Sequence, residues 1–134
     1  MKVRASWLVW TLIPAGVAVA WFAEREQARV SRPWTFLVTE LVPGLALIAA
    51  GLLIRSRRPQ NRCWWLLVAS GFAWYVGDFE HSADRNVALF GFAFNGWHEV
   101  FLAWVVLSFP SGRLHRQYQK VLVALVAALV AART

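Results

Sequence analysis

Four long apolar runs occupy most of this 134-residue chain, with short loops carrying nearly all the charge between them. The runs cover about residues 7–23, 34–54, 63–77 and 87–109, and a fifth covers 121–132. A helix of about 20 mostly apolar residues is long enough to cross the hydrocarbon core of a bilayer. These runs are apolar all round, with no stripe of charge at a 3.6-residue period, whereas a helix on a soluble domain needs a polar face. Residues are 59% hydrophobic and 16% charged. The pattern predicts an all-α fold: a polytopic membrane helix bundle with four spans plus a short or incomplete fifth helix, in one transmembrane domain over 1–134. The twelve residues of the fifth run would span only about 18 Å, against a core of roughly 30 Å. The expectation is a longer chain cut short.

The net charge of +7 would suggest nucleic acid in a soluble protein. Here the arginines sit between apolar runs, where they set topology, and no nucleic-acid partner is expected. With the N-terminus cytoplasmic, the inner segments hold Lys2, Arg4, Arg55, Arg57, Arg58, Arg62, Arg113, Arg116 and Lys120 and no acid. The outer loops then hold Arg25, Arg29, Arg32 and Arg85 against Glu24, Glu26, Asp78, Glu80 and Asp84. The positive-inside rule favours this orientation. Lys2, Arg4 and Ala18-Val19-Ala20 also resemble a cleavable signal peptide. Trp7, Trp10, Trp21 and the length of the run suit a retained anchor better. Cys63 is the only cysteine, so no intrachain disulfide can form. The bilayer is the expected partner, with the inner arginines contacting anionic headgroups for about 1 kcal/mol each.

Within the runs, Pro14 and Gly16 are expected at mid-span as a kink, and Gly16 with Ala20 as a small-residue packing pair. Ala124, Ala128 and Ala132 mark a second small-residue face. Both point to a homodimer or to other membrane helices as neighbours. Phe109-Pro110-Ser111-Gly112 reads as the turn that ends the fourth run.

Hydropathy does not explain Glu40, Asn95, His98 and Glu99. A charged group at bilayer depth costs at least a few kcal/mol, so it faces the bundle interior or a watery cavity. Glu40 lies about two turns from the outer surface and His98-Glu99 about three. They could line an outward-facing polar pocket for a small ligand or a proton. The alternative is a protonated, hydrogen-bonded Glu40 between helices and a His98 bonded to a backbone carbonyl. Asp78, Glu80, His81 and Asp84 cluster on one outer loop and form a weak metal candidate. A solvated acidic loop is the ordinary reading, and neither a metal nor another cofactor is expected.

His98-Glu99 matches the start of H-E-x-x-H, but Leu102 holds the last position, which excludes metalloprotease chemistry there. Neither Gly-rich phosphate motif occurs, and Gly91-Phe92-Ala93-Phe94-Asn95-Gly96 reads as a packing element. Two turns resemble a known family. Arg57-Arg58-Pro59-Gln60-Asn61-Arg62 precedes Trp64-Trp65-Leu66-Leu67, and Phe109-Pro110-Ser111-Gly112-Arg113-Leu114 closes the fourth run. Together they resemble the multi-span N-terminal membrane region of certain bacterial sensor histidine kinases. There, an R-R-P-x-N-R turn precedes one helix and an F-P-(S/D/T)-G-R-L turn follows the next. The resemblance covers roughly residues 37–130. It departs at Cys63-Trp64, where the family often has a small residue, usually glycine, and close backbone contact is expected to weaken there.

The resemblance implies a sensor module in a bacterial cytoplasmic membrane, multi-pass and with its N-terminus inside. Such a module passes a stimulus to a dimerisation helix pair, a phosphoacceptor His and an ATP-binding domain, and through them to a response regulator. None of these lies within the 134 residues, so this chain is not expected to be an enzyme by itself. Arg57, Arg58, Pro59, Asn61, Phe109, Pro110, Gly112 and Arg113 match the motifs and are expected to be structural: helix stop, turn and topology anchor. Two other readings stay open, a stand-alone small membrane protein acting through a partner and a small proton-coupled carrier using Glu40 and His98.

Overall fold

A computed structural model describes residues 10–27 and 34–133. They form α1 (Leu12–Gln27), α2 (Trp34–Arg57), α3 (Cys63–Gly77), a single 3₁₀ turn (Asp78–His81), α4 (Arg85–Phe94), α5 (Trp97–Ser108) and α6 (Gln117–Arg133). No strand occurs among the described residues, as the all-α expectation requires. Lys2, Arg4, Trp7, Arg29, Arg32 and Thr134 lie outside them. Two stretches, Val38–Arg57 and Arg85–Ser108, are long and apolar enough to cross a membrane. Within each, only 22% and 17% of an 18-residue apolar segment is buried inside the molecule. Val106 and Phe109 are 75% and 73% exposed.

The helices depart from the apolar runs in instructive ways. The first run does not stop at Ala23, because α1 continues to Gln27. Pro14 is the third residue of α1, and Thr11 just before that helix is a turn between helical Trp10 and Leu12, which fits a proline with no N–H to donate four residues back. The fourth run, expected as one helix over 87–109, is two. Asn95 leaves the helix with ψ 133° and Gly96 takes φ 81°, a left-handed conformation that glycine adopts without strain. The fifth run is longer than its apolar part, since α6 starts at Gln117 and runs for 17 residues. Only the third run has the boundaries expected of it.

The core is a tightly joined α2–α3 hairpin. A Cβ on Gly71 would lie 2.6 Å from the Gly44 carbonyl oxygen, and one on Gly51 would lie 2.5 Å from that of Trp64. Glycine therefore lets backbone meet backbone at both levels. Pro43, inside α2, has no N–H to donate to the preceding turn. The two carbonyls after Thr39 take donors from α3: Trp74 Nε1 donates to Glu40 (3.0 Å) and Tyr75 Oη donates to Leu41 (2.7 Å). Such donors from a neighbouring helix are how apolar bundles tolerate an internal proline. Ile48, Leu52 and Tyr75 are at most 2% exposed at the centre of this core. Gly16 and Ala20 bring α1 against Ile48, so the small-residue pair packs as expected. The alanine face does not: Ala124, Ala128 and Ala132 are exposed. Instead α6 buries Val123 and Val130 with Val100 of α5.

Candidate functional site

Polar groups gather at the end of the bundle where α3 runs into the 3₁₀ turn. Gly91 has no side chain, and a Cβ there would collide with the backbone of Phe79 and Glu80. The turn can therefore lie directly on α4, and this brings Glu80 to Asn95. Asn95 Nδ2 donates to Glu80 Oε2 at 2.6 Å, and the other oxygen of Glu80 lies 3.6 Å from His81 Nδ1. From α5, His98 packs edge-on against Trp74 with ring centroids 4.8 Å apart. The backbone of His98 is tied to α3 as well, because the buried Ser70 hydroxyl donates to its carbonyl at 3.1 Å. The result is a cavity of about 220 Å³ lined by Glu40, Trp74, Gly77, Asp78, Glu80, Asn95 and His98.

Three of the four intramembrane candidates, Glu40, Asn95 and His98, thus share one cavity with two residues of the acidic loop. Glu99 does not join them. One residue further round α5, it faces Arg133 of α6 at 3.6 Å and lines a separate cavity of about 100 Å³. Asn95 is not a mid-helix residue, since it stands at the break between α4 and α5. Asp84 serves the fold, since its carboxylate caps α4 by accepting from the N–H groups of Asn86 (2.8 Å) and Val87 (3.2 Å). Among the described residues no three His, Cys, Asp or Glu side chains are placed to hold a metal ion. The four loop residues considered for one are split between the cavity, an ion pair and a helix cap. Three carboxylates, a carboxamide and an imidazole can together accept hydrogen bonds from a small cationic or protic guest. Trp74 and Ser70 are partners that sequence reasoning missed. Both lie in a run read as uniformly apolar, and no periodic signal distinguishes them.

At the opposite end of α3, the two family-like turns meet. Asn61 clips them together. Its Nδ2 donates to the Pro110 carbonyl at 2.7 Å, and its Oδ1 accepts from the Cys63 N–H at 2.9 Å. The Arg62 N–H donates to the Ser111 carbonyl at 3.3 Å. Gly112 has φ 74°, and a Cβ on it would lie 2.5 Å from Cys63 N. Cys63-Trp64 therefore does not weaken close backbone contact as expected. The glycine is supplied by the opposite side of each contact, Gly112 against Cys63 and Gly51 against Trp64. Gln119 extends the clip into α6: its Oε1 accepts from the N–H groups of His115 and Arg116, and its Nε2 donates to the Leu107 carbonyl at 2.7 Å. This is the back-reaching half of a capping box, and its position two residues into α6 was a readable signal that the apolar-run reading passed over.

Searches against protein-family models, curated proteins and solved structures return no match. The resemblance to sensor-kinase membrane regions accordingly rests on the two turns themselves.

Proposed function

We propose that this chain is a multi-pass membrane signal-transduction module, N-terminus inside, of the kind that precedes the catalytic part of a bacterial sensor histidine kinase. The observation that carries the reading is the clip between the two turns. Two short motifs are joined by the Asn61 bond to Pro110, across 49 residues, and the turn that is clipped leads directly into α6. The polar cavity stands at the other end of the same helix, α3, whose 15 residues cover about 20 Å. A guest that shifts His98 against Trp74 and Ser70 acts on α3 and α5, the two helices whose other ends carry the clip. Coupling between such sites needs a contiguous element with two arrangements, and the α3–α5 pair is the candidate.

Membrane insertion is supported by the mostly unburied apolar stretches 38–57 and 85–108. Large exposed apolar surfaces are rare on monomeric soluble proteins. The test begins with the coding sequence beyond Thr134, which on this reading continues into a dimerisation helix, a phosphoacceptor His and an ATP-binding domain. A stop codon followed by non-coding sequence would overturn it. In membrane vesicles of that longer protein, Asn61→Ala is expected to change basal autophosphorylation at equal protein abundance. Glu40→Gln is expected to alter the response to stimulus, and unchanged signalling in that variant would remove the cavity from the mechanism.

A further inference from the structure

We propose that the junction of the two turns is a bipartite site for one anionic phospholipid. Its phosphodiester headgroup sits among Arg58, Arg113 and His115, and one acyl chain lies along the groove beside Phe109. The inference rests on the reading of the chain as a membrane protein.

Three observations carry it. First, the junction is hollow. A cavity of about 410 Å³ is bounded by Arg58, Gln60, Ser111, Arg113 and His115 around the Asn61 clip. A second, of about 250 Å³, runs from Leu53 and Ile54 past Phe109. The two share Arg58, Asn61 and Pro110, so a hollow rimmed by Arg58, Arg113 and His115 adjoins an apolar groove. Second, the cations here lack partners of opposite charge. No Asp or Glu occurs in 41–77 or 100–134, and the ion pairs among the described residues are His81 with Glu80 and Arg133 with Glu99. Arg55 stacks on Trp64 with its guanidinium 4.3 Å from the ring, and Arg116 lies over Tyr118 at 6.0 Å. Of the other arginines at the junction, Arg57 lines the groove, and Arg58 and Arg113, both exposed, line the hollow. A guanidinium fork matches two phosphate oxygens, and a second guanidinium nearby repels the cation of a zwitterionic headgroup, so the pair favours a headgroup with net negative charge. Third, Phe109 is 73% exposed at the mouth of the groove. Free phosphate would leave this ring and the groove uncovered, whereas a diacyl lipid covers both.

The test uses the whole chain in vesicles of equal parts phosphatidylglycerol and phosphatidylcholine, with the retained lipid read by native mass spectrometry. Phosphatidylglycerol is expected to be retained in preference. Arg58→Gln and Arg113→Gln should each lower its retention roughly fivefold. Phe109→Ala should lower it as well, while Arg85→Gln at the other end of the bundle leaves it unchanged. Equal retention of the two lipids, or an equal loss in Arg85→Gln, would overturn the proposal. Displacement by excess inorganic phosphate with no effect of Phe109→Ala would assign the site to free phosphate and overturn it too. Flotation with the vesicles is read on the same samples. Protein that fails to float refutes the membrane reading itself, whereas protein that floats without lipid preference refutes only the lipid site.

Discussion

Asn61 and Gly112 show how much of the molecule depends on two residues that carry no catalytic chemistry. Asn61 has one donor and one acceptor engaged, each on a different turn. A net side-chain hydrogen bond contributes about 1 kcal/mol, so Asn61→Ala should destabilise the fold by about 2 kcal/mol. Asn61→Asp keeps the oxygen that accepts from Cys63 but sets a second acceptor against the Pro110 carbonyl, so at least half that loss is expected. Denaturant titration of the purified protein in detergent would check both, and a negligible loss in Asn61→Asp would show that the Pro110 bond contributes nothing. Gly112→Ala faces two penalties at once. Its φ of 74° is disfavoured for an L-residue by roughly 1–2 kcal/mol, and its Cβ would press on the backbone of Arg62 and Cys63. It should therefore be at least as damaging as Asn61→Ala. Both residues were legible in the sequence as members of turns. That the two turns meet was not, because a pattern of local turn residues says nothing about which turns meet.

Among the elements, the α2–α3 hairpin is held closest, and the glycines that allow this are spread over two runs. Gly71→Ala would put a methyl group 2.6 Å from the Gly44 carbonyl and from Ile48. Neither neighbour can retreat without parting the helices, so a loss of about 1–3 kcal/mol is expected, the usual cost of overpacking. Gly16→Ala meets only the tip of Ile48 at 2.7 Å, a flexible end that can rotate away, and should be milder. Thermal unfolding that ranks Gly16→Ala as the more harmful would contradict this account of the core. The existence and order of the helices were readable from apolar runs, since a long apolar stretch fixes both. The break at Asn95-Gly96 was not, because a hydropathy window averages across it. Its signal was the Asn-Gly pair, a turn dipeptide even inside an apolar segment. The cavity was half legible. Glu40, Asn95 and His98 stood out because charge and amide groups are costly in an apolar run, whereas Glu99 stood out for the same reason and faces away.

At the scale of the whole molecule, charge and cavity divide the bundle into two ends. Arg57, Arg58, Arg62, Arg113 and Arg116 cluster where the turns meet, and Asp78, Glu80 and Asp84 lie beyond the far end of α3. If the helices cross a membrane, the basic end belongs in the cytoplasm by the positive-inside rule. A phosphatase that folds only outside the cytoplasm should then be active when fused within 82–84 and inactive when fused within 59–61. A fluorescent protein that matures only inside should give the reverse. The clip makes a sharper demand. Because Arg62 bonds to Ser111 directly, fusions at 59–61 and at 113–116 must report the same side. A result that placed these two turns on opposite sides would be incompatible with the packing itself, whatever the orientation. Replacing Arg57, Arg58, Arg62 and Arg113 together with Gln removes four of the nine inner basic residues and should yield a mixed population in both reporters. Retention of a single orientation in that variant would mean that Lys2, Arg4, Arg55, Arg116 and Lys120 suffice, and that the arginines at the turns serve the clip and its ligand rather than topology.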